Sequence, residues 1–504
     1  MFGQAIPFRD FAPDLDPFTP GVVLDCDNLF GTVKGLKALP ALVTVDGAQL
    51  SDPVIGTFTF PTPNGDQLVL AGTHAHIYRL IGGAWELFDG ATSEAIAQYG
   101  TAARWRMAAF GDYILAVNGI DPVQVSSNYA PFQDLRSLVV PNGTNPPLAS
   151  IVQTTDYGIF LIQTDTATWF FSPNPLDWTP DISTLTTQGQ LTATPGPITA
   201  VHRLRDGVAI YKDRSLYYMA FTGPPFVWEP RLVSQQVGCA NHESVVNVGD
   251  VHLFLGSDDF YVFDGSSLRP LENNLKEWFF ARMNDTYRAN ALARYDRTNT
   301  LAFWHYASTA SDVGELDEWV CFATRARKWT RGTKTVMDVA TPDVPVVLSD
   351  MTYEQLGQQY DAYEDLPDVA YDSKLFYSAE DRVPAIIDEA GQLQTYSGVA
   401  EDAALLTGNI GDGLQYFQIG GVRPVFAQWP TRALLASKRT RAAGQEIPDP
   451  GPFPYPVEGP QSVLQRDGNF NFVSTARVHR FQIETEGDTE IVGLMVDATP
   501  MGTQ

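Results

Sequence analysis

A short apolar hairpin recurs along the chain, and this recurrence constrains the fold more than any other feature. In the copy at residues 248–268, alternating apolar residues follow Gly249-Asp250, polar turn residues cover 256–259, and an aromatic run occupies 260–263. Alternation of this kind predicts two strands with distinct faces. Comparable turn residues open further copies every 40 to 50 residues or so, which is typical of propeller blades. The openers are Gly65, Gly111, Gly158, Gly207, Gly249 and Asn299.

This spacing predicts an all-β chain with a β-propeller of about six blades over residues 41–345. Each blade needs two further strands from the residues between the hairpins, because an apolar hairpin requires neighbours on its faces. An irregular set of β-sandwiches is the alternative. Helical periodicity is scarce, and the two predicted helices cover residues 275–283 and 433–443.

Three other segments flank the predicted propeller. Residues 1–40 contain five prolines and little pattern, so we expect an extended N-terminal arm whose phenylalanines anchor on another surface. Residues 346–402 are acidic with interleaved aromatics, and they either complete the propeller or link two domains. Residues 403–504 are predicted to form a second, C-terminal β domain with a proline-rich loop at 447–460.

The net charge of −26, from 59 acidic and 33 basic residues, argues against a nucleic-acid-binding groove and against docking on anionic lipid. The three cysteines form no CxxC pair and suggest no disulfide framework. The N-terminus lacks the pattern of a signal peptide, and no apolar run has the length of a membrane span. We therefore expect a protein kept in a cytosol until it is assembled.

Catalytic signatures are not evident in the sequence. No nucleophile elbow, phosphate loop or HExxH motif occurs, and His74 and His76 lack a third metal ligand. We therefore expect no enzyme activity, no cofactor and no metal. A glycosidase pair of carboxylates stays open at this point, because it would need only two acidic residues at working distance in a cleft.

An ordered series of motifs spans nearly the whole chain. The motifs are LVLAGT at 68–73, RWRMAAFGDYILAVNG at 104–119, TWFFSPNPLDW at 168–178, VGCANHESVVNVGDVHLFLGSDDFYVFDG at 237–265 and STARVHRFQIETEGDTEIVGLMVDATPMG at 474–502. In this order they resemble the propeller-type structural proteins of tailed bacteriophages, of the tail nozzle or tail tubular protein B type. The proline-rich segment 447–460 and the insertion at 306–318 depart from that resemblance.

The resemblance implies a structural virion protein that forms the distal ring, or nozzle, of a short tail through which the genome is ejected. It implies assembly in the host cytoplasm into a homo-oligomer, a ring of six copies. Its partners would be portal or adaptor proteins and tail fibre or needle proteins, with double-stranded DNA passing through without specific binding. The family lacks catalytic residues, so none is carried over.

The charge of the chain gives this interpretation independent support, because lumen carboxylates repel phosphates and avoid tight DNA binding. We expect the lumen to carry more Asp and Glu than Lys and Arg, with residues 361–402 as the main source. The candidate acidic lumen or interface residues are Asp361, Glu364, Asp365, Asp368, Glu401 and Asp402.

One basic cluster stands out near the C-terminus, and we expect it to face a neighbouring subunit or an adaptor. Its residues are Arg432, Lys438, Arg439 and Arg441. The alternative is that the acidic residues face bulk solvent and the basic run is a solvated helix face.

Two other functions stay open from the sequence. A glycan-binding or glycan-cleaving propeller, acting as a receptor-binding tail component, could use some of the 10 Trp and 20 Tyr residues to stack on sugars. A cellular propeller scaffold that binds protein partners is the other possibility.

Overall fold

The computed structural model describes residues 5–62, 67–100, 104–140, 143–340, 344–346, 381–400, 402–412, 414–440, 461–471 and 473–502. Together these residues form seven four-stranded antiparallel sheets, two six-stranded sheets and one two-stranded ribbon. The described part contains one α-helix, α1 (Lys276–Arg282), which lies inside the first predicted helix. The chain is therefore all-β, as the hairpin recurrence predicts.

Strands are numbered in chain order. The N-terminal segment contains β1 (Ile6–Pro7), β2 (Val23–Asp27), β3 (Leu29–Gly31) and β4 (Leu36–Ala38), and β5 (Leu42–Gln49) follows. Blade 1 comprises β6 (Val54–Pro61), β7 (Gln67–Thr73), β8 (Ile77–Ile81) and β9 (Ala84–Leu87). Blade 2 comprises β10 (Arg106–Phe110), β11 (Tyr113–Val117), β12 (Gln124–Ser127) and β13 (Gln133–Asp134). Blade 3 comprises β14 (Ala149–Thr154), β15 (Ile159–Gln163), β16 (Thr168–Ser172) and β17 (Thr187–Gln190).

The next three blades follow the same plan. Blade 4 comprises β18 (Ile198–Leu204), β19 (Gly207–Lys212), β20 (Leu216–Gly223) and β21 (Val227–Ser234). Blade 5 comprises β22 (Val245–Val248), β23 (Val251–Leu255), β24 (Phe260–Phe263) and β25 (Leu268–Pro270). Blade 6 comprises β26 (Leu292–Asp296), β27 (Leu301–Tyr306), β28 (Leu316–Ala323) and β29 (Lys328–Val336).

The remaining strands complete the propeller and build the second domain. After blade 6 come β30 (Asp338–Val339), β31 (Val344–Val346), β32 (Asp381–Val383), β33 (Ala385–Ile387) and β34 (Gln392–Tyr396). The C-terminal part contains β35 (Ala403–Thr407), β36 (Ile410–Gly411), β37 (Tyr416–Gln428), β38 (Arg432–Thr440), β39 (Gln461–Val463), β40 (Ser474–Ala476), β41 (Val478–Glu486) and β42 (Glu490–Gly502).

The seven four-stranded sheets form a closed β-propeller. The first strand of each blade contacts the first strand of the next, from β6 through β10, β14, β18, β22 and β26 to β30, and β30 contacts β6. The recurring hairpin of the sequence is the middle pair of strands in each blade. In blades 2 and 5 the opening residues Gly111 and Gly249 lie in the turn before the second strand, with positive φ angles of 59° and 68°.

The seventh blade exceeds the six repeats that the sequence predicts. Its strand order is β30-β33-β34-β5, so residues from before blade 1 form the outer strand of the last blade. The register pairs Tyr396 with Leu42 and Gln392 with Gln49. Residues on both sides of blades 1–6 thus close the ring, and residues 385–396 complete the propeller rather than only linking it to the next domain.

The second domain consists of the two six-stranded sheets. One has the order β3-β4-β42-β37-β40 with β1 on β42, and the other has the order β2-β35-β41-β38-β39 with β36 on β41. Residues from both sheets, including Leu405, Leu435, Phe481 and Leu494, share one buried core with blades 5 and 6. The propeller is therefore inserted between two parts of a β-sandwich.

The predicted helix at 433–443 is wrong, because residues 432–440 form strand β38. This strand lies between β41 and β39 and pairs with β41 from Arg432 to Thr440. Its alanines and leucines favour helices, but pairing on both sides and burial of Ala433 and Leu435 override that preference. The solvated helix face proposed for the basic run is wrong for the same reason.

The N-terminal segment runs in an extended path, but its anchors lie in this chain and not on another surface. Phe8, Phe11 and Phe30 are buried, whereas Phe18 is 45% exposed. The Phe11 ring packs edge-on against Trp278 at 4.9 Å, and its amide donates to the carbonyl of Trp329 at 2.9 Å. Phe2 lies outside the described residues.

A buried ionic network joins this segment to blade 6. The guanidinium of Arg331 donates to Asp25 at 2.8 Å, and Arg282 forms a bidentate pair with Glu318, donating from Nε at 2.7 Å and from Nη2 at 2.5 Å. The Tyr306 hydroxyl donates to the same Glu318 at 2.7 Å. Because buried charges are tolerated only when they are paired, this network fixes the sandwich against the propeller.

Candidate functional site

Most of the predicted acidic set cannot be placed. Asp361, Glu364, Asp365, Asp368 and Glu401 lie outside the described residues, so their assignment to a lumen stays a prediction.

The remaining acidic candidate lies at the sandwich. Asp402 is exposed just before β35, and its carbonyl accepts from the side-chain amide of Asn28 at 3.1 Å. This acidic candidate therefore lies beside the N-terminal segment.

The predicted basic set follows strand β38. Arg432 is 57% exposed and pairs with Glu486 of the same chain at 2.7 Å. Lys438 and Arg439 occupy successive strand positions, opposite Arg480 and His479 of β41. Arg441 lies outside the described residues. The facing of this set towards another protein stays a prediction.

One cavity brings an acidic and a basic candidate together. It has a volume of about 360 Å³, and its lining includes Asp402, Arg432, Asp27, Glu484 and Glu486. Burial raises the pKa of Asp27, although hydrogen bonds from Thr333 partly oppose that shift. Asp402 and Arg432 were expected on separate surfaces. They line the same cavity.

A second charged cluster, absent from the predicted set, lies at the propeller axis. Arg106 of blade 2 donates from Nε and Nη2 to the carboxylate of Glu243 at 2.6 and 2.9 Å. Glu243 lies two residues before the first strand of blade 5, three blades further round the ring. Arg106 also donates from Nη1 to the carbonyl of Ser150 in blade 3 at 2.8 Å. The ion pair therefore spans the central channel.

A second arginine extends the cluster to blade 7. Arg104 forms an ion pair with Asp338, and its Nε lies 3.5 Å from Glu243. Burial alone would raise the pKa of Glu243, but Arg106 and Arg104 outweigh burial and hold that pKa below its ordinary value. Burial raises the pKa of Asp338, and Arg104 only partly opposes the shift. The arginines thus hold both carboxyl groups in fixed ion pairs.

One buried histidine, His252, and two partly buried ones, His202 and His242, continue this polar interior into blades 4 and 5. The rings of His202 and His242 stack with centroids 4.0 Å apart, and His202 Nε2 donates to the carbonyl of His242 at 2.8 Å. His242 Nδ1 accepts from the amide of Val201 at 3.3 Å. His252 accepts from the Tyr211 hydroxyl at 2.9 Å and donates to the carbonyl of Arg203 at 3.0 Å. The acceptor role of His242 Nδ1 requires a neutral ring, and the contacts of His202 and His252 are satisfied by neutral rings.

The electrostatics of the three rings agree with their hydrogen bonds. Burial lowers the pKa of His202 to about 4 and that of His252 to about 3. Burial and the neighbouring His202 lower the pKa of His242 well below its ordinary value. At neutral pH the histidines therefore serve as uncharged hydrogen-bonding groups.

The axial cluster borders a cavity of about 490 Å³, whose lining includes Arg104, Arg106, Asn241 and Glu243. Asn241 is held by donating to the carbonyls of Ala289 and Ala291, both at 2.7 Å. Among the described residues, no group of three or more His, Cys, Asp or Glu side chains is arranged to hold a metal ion. At this cavity Arg106 and Glu243 form an ion pair, and Asn241 donates hydrogen bonds to backbone carbonyls.

The axial cluster could not be found by sequence reasoning. Arg104 and Arg106 belong to the motif RWRMAAF and Glu243 to the motif NHES, but the two motifs are more than a hundred residues apart. Only closure of the ring brings blades 2, 5 and 7 together, and no local pattern encodes that meeting. His76, considered above as a metal ligand, instead contacts Asp89 at 2.8 Å.

No protein-family model and no curated protein matches this chain. Solved structures that resemble it include the extracellular domain of a putative one-component system from B. thetaiotaomicron, with a TM-score of 0.41, 7% identity and 78% of this chain covered. The match covers 44% of that protein, so this chain spans less than half its length.

Two further similar structures are a WD40 domain and a protein solved in complex with another protein. The Pan2 WD40 domain of Neurospora crassa has a TM-score of 0.36 and 9% identity, covering 71% of this chain and 94% of that one. BBS1N in complex with ARL6DN has a TM-score of 0.39 and 10% identity, covering 71% and 96%. All these TM-scores are below 0.5, so the similarities carry no argument about this chain. The assignment of a propeller rests on the closed ring of sheets described above. Within the described residues, no helix has the length and apolar character needed to cross a bilayer.

Proposed function

We propose that this chain is a non-enzymatic structural subunit of a ring at the distal end of a short phage tail. In this proposal the propeller is a rigid scaffold. The genome passes between the subunits of the ring, and not along the axis of any one propeller. The ordered motifs described above supply the link to phage tails, and the architecture of the propeller supports the scaffold role.

The observation that carries this proposal is the filling of the propeller axis by the chain's own side chains. Arg106, Glu243 and Arg104 link blades 2, 3, 5 and 7 across the channel. The stacked His202 and His242 extend the same polar interior to blade 4. A channel bridged in this way favours a rigid body over a conduit.

The net charge of −26 favours passage of DNA without binding. Carboxylates repel phosphates, and a surface poor in Lys and Arg lacks the counterion-release term that makes DNA adhere. Electrostatic repulsion of this kind is useful for a duct and adverse for a DNA-binding protein.

The glycan-cleaving alternative requires two carboxyl groups that can reach a substrate. The carboxyl groups that line the axial cavity are those of Glu243, Glu315 and Glu389. Glu243 is paired with Arg106, and Asp338, which is not part of the lining, is paired with Arg104. The Asp338 side chain is fully buried, and Glu243 is only 13% exposed. A retaining or inverting mechanism needs one free acid and one free base or nucleophile, and the paired Glu243 and Asp338 supply neither. Glu315 and Glu389 are exposed at the same cavity, so the polysaccharide assay decides this alternative.

Purified particles provide the test. We expect mass spectrometry of intact phage to detect this chain at several copies per particle. In parallel, we expect the purified chain to release no reducing sugar from host polysaccharide. Absence from the particle, or clear polysaccharide cleavage, would overturn the proposal.

A further inference from the structure

A rigid apolar knob projects from blade 4. The β20–β21 hairpin places Phe226 at its tip, where the side chain is 74% exposed. The base of the hairpin is fixed, since the rings of Phe221 and Tyr157 stack at 3.9 Å and Trp228 packs edge-on against Phe221 at 5.3 Å. A large apolar side chain held this firmly loses little further entropy on docking.

An apolar socket lies elsewhere on the same chain. It opens between the N-terminal segment and the sandwich, has a volume of about 190 Å³, and is lined in part by Phe8, Phe18, Val22, Ile410 and Leu494. A cavity of about 150 Å³ is known to accommodate a benzene ring, so the socket is large enough for a phenyl group.

The charge distribution indicates that the occupant is a second copy. Copies carrying −26 repel one another, so self-contact favours surfaces without carboxylates. None of the socket's lining residues is charged, and neither is any residue of the tip from 222 to 228. Beside them, exposed Glu229 follows the tip, and exposed Arg9 donates its amide to Gly21 at the socket at 2.8 Å.

We propose that Phe226 of one copy inserts into this socket of the next copy. Knob and socket are different surfaces of one chain, so the contact is heterologous and repeats around a ring when the rotation closes. The inference rests on the proposed ring and names the surfaces that join its subunits. The opposite charges of Glu229 and Arg9 would then flank the inserted ring.

The first test compares two exposed apolar side chains in the full-length protein. Phe226→Ser should weaken self-association, measured by mass photometry and sedimentation, by about tenfold or more. Ile96→Ser is the matched control, because Ile96 is 70% exposed but lies outside knob and socket, and it should leave self-association unchanged. Filling the socket with Thr19→Trp should reproduce the Phe226→Ser result.

The second test locates the contact directly. Phe226→Cys and Thr19→Cys proteins are mixed and oxidised, and we expect disulfide-linked heterodimers that neither protein forms alone. The native Cys26, Cys239 and Cys321 are buried and should not compete. Rings that form normally with Phe226→Ser and give no mixed cross-link would overturn the knob-and-socket contact while leaving the ring intact. A chain that neither associates nor cross-links at any concentration would overturn both.

Discussion

At the scale of single residues, the most informative contact is the ion pair across the propeller axis. Arg106 and Glu243 are far apart in sequence, and their meeting depends on the number and order of the blades. Candidate surface charges could be predicted from the composition of the chain, but this ion pair could not. The physical reason is that long-range ion pairs are selected by tertiary closure and leave no periodic pattern.

Removing one partner of this pair should be costly. Arg106→Met leaves the carboxylate of Glu243 buried with only Arg104 nearby, and we expect a loss of roughly 3 to 5 kcal/mol in unfolding free energy. The double variant Arg106→Met/Glu243→Gln should lose less. Urea denaturation of both variants provides the measurement.

A matched surface pair controls this experiment. Arg327 and Glu272 are 2.7 Å apart but 69% and 80% exposed, so Arg327→Met should cost less than about 1 kcal/mol. Equal losses for Arg106→Met and Arg327→Met would contradict the account of the axis.

The histidines His202 and His252 predict a defined acid sensitivity. The pKa values of His202 and His252 are about 4 and about 3 in the folded protein, below the ordinary value of 6.5. Between pH 6.5 and 4 the unfolded chain therefore binds protons that the folded chain does not, and stability falls as pH falls. Each ring contributes roughly 3 kcal/mol to this loss. The contribution of the Glu243 carboxylate is lost only at lower pH, since its folded pKa is depressed.

Urea midpoints at pH 7, 5.5 and 4 test this dependence. The variant His202→Gln/His252→Gln should show a shallower fall in stability over that range than the unmodified protein. An unchanged slope would mean that the titrating groups lie elsewhere.

At the scale of strands and helices, sequence patterns predict those strands whose pairing partners lie nearby in the chain. The hairpin recurrence identified the middle strands of the blades, because two strands joined by a short turn carry their own period and turn residues. It missed the seventh blade, since β5 pairs with β34 across more than three hundred residues. The separate prediction of a helix at 433–443 failed at β38, where neighbouring strands outweigh the helix preference of alanine and leucine.

The N-terminal segment should behave as part of the core. Phe11 is fully buried between α1 and β29, so Phe11→Ala should destabilise the monomer by about 3 to 5 kcal/mol. Phe18→Ala, which truncates a 45% exposed ring, should cost far less. Thermal unfolding of the purified monomers measures both changes. A Phe11→Ala monomer as stable as the unmodified protein would contradict this and would indicate that the N-terminal segment is a detachable arm.

At the scale of the whole molecule, two bodies share one core. The sandwich takes strands from both ends of the chain and packs on blades 5 and 6, while blade 7 closes the ring with a strand from the N-terminal side. Because both the sandwich and the propeller are closed by strands distant in sequence, we expect the two bodies to behave as one rigid unit. The fold class could be predicted because the hairpins are local in sequence. The relation between the domains could not, because it depends on strands from both ends of the chain.

The lumen charge is a prediction at this scale. In the assembled ring we expect the inner wall to carry more Asp and Glu than Lys and Arg. Replacing several wall carboxylates with Lys should slow genome ejection at low salt and less so at high salt, because salt screens the added attraction for phosphate. Ejection rates that do not respond to these changes would show that lumen charge does not govern passage of the genome.

A cryo-electron microscopy reconstruction of the chain within phage particles tests the central claim most directly. We predict a ring of copies with the DNA path between subunits and every propeller axis closed by Arg106 and Glu243. DNA density running along the axis of an individual propeller, or particles in which the chain forms no ring, would contradict it.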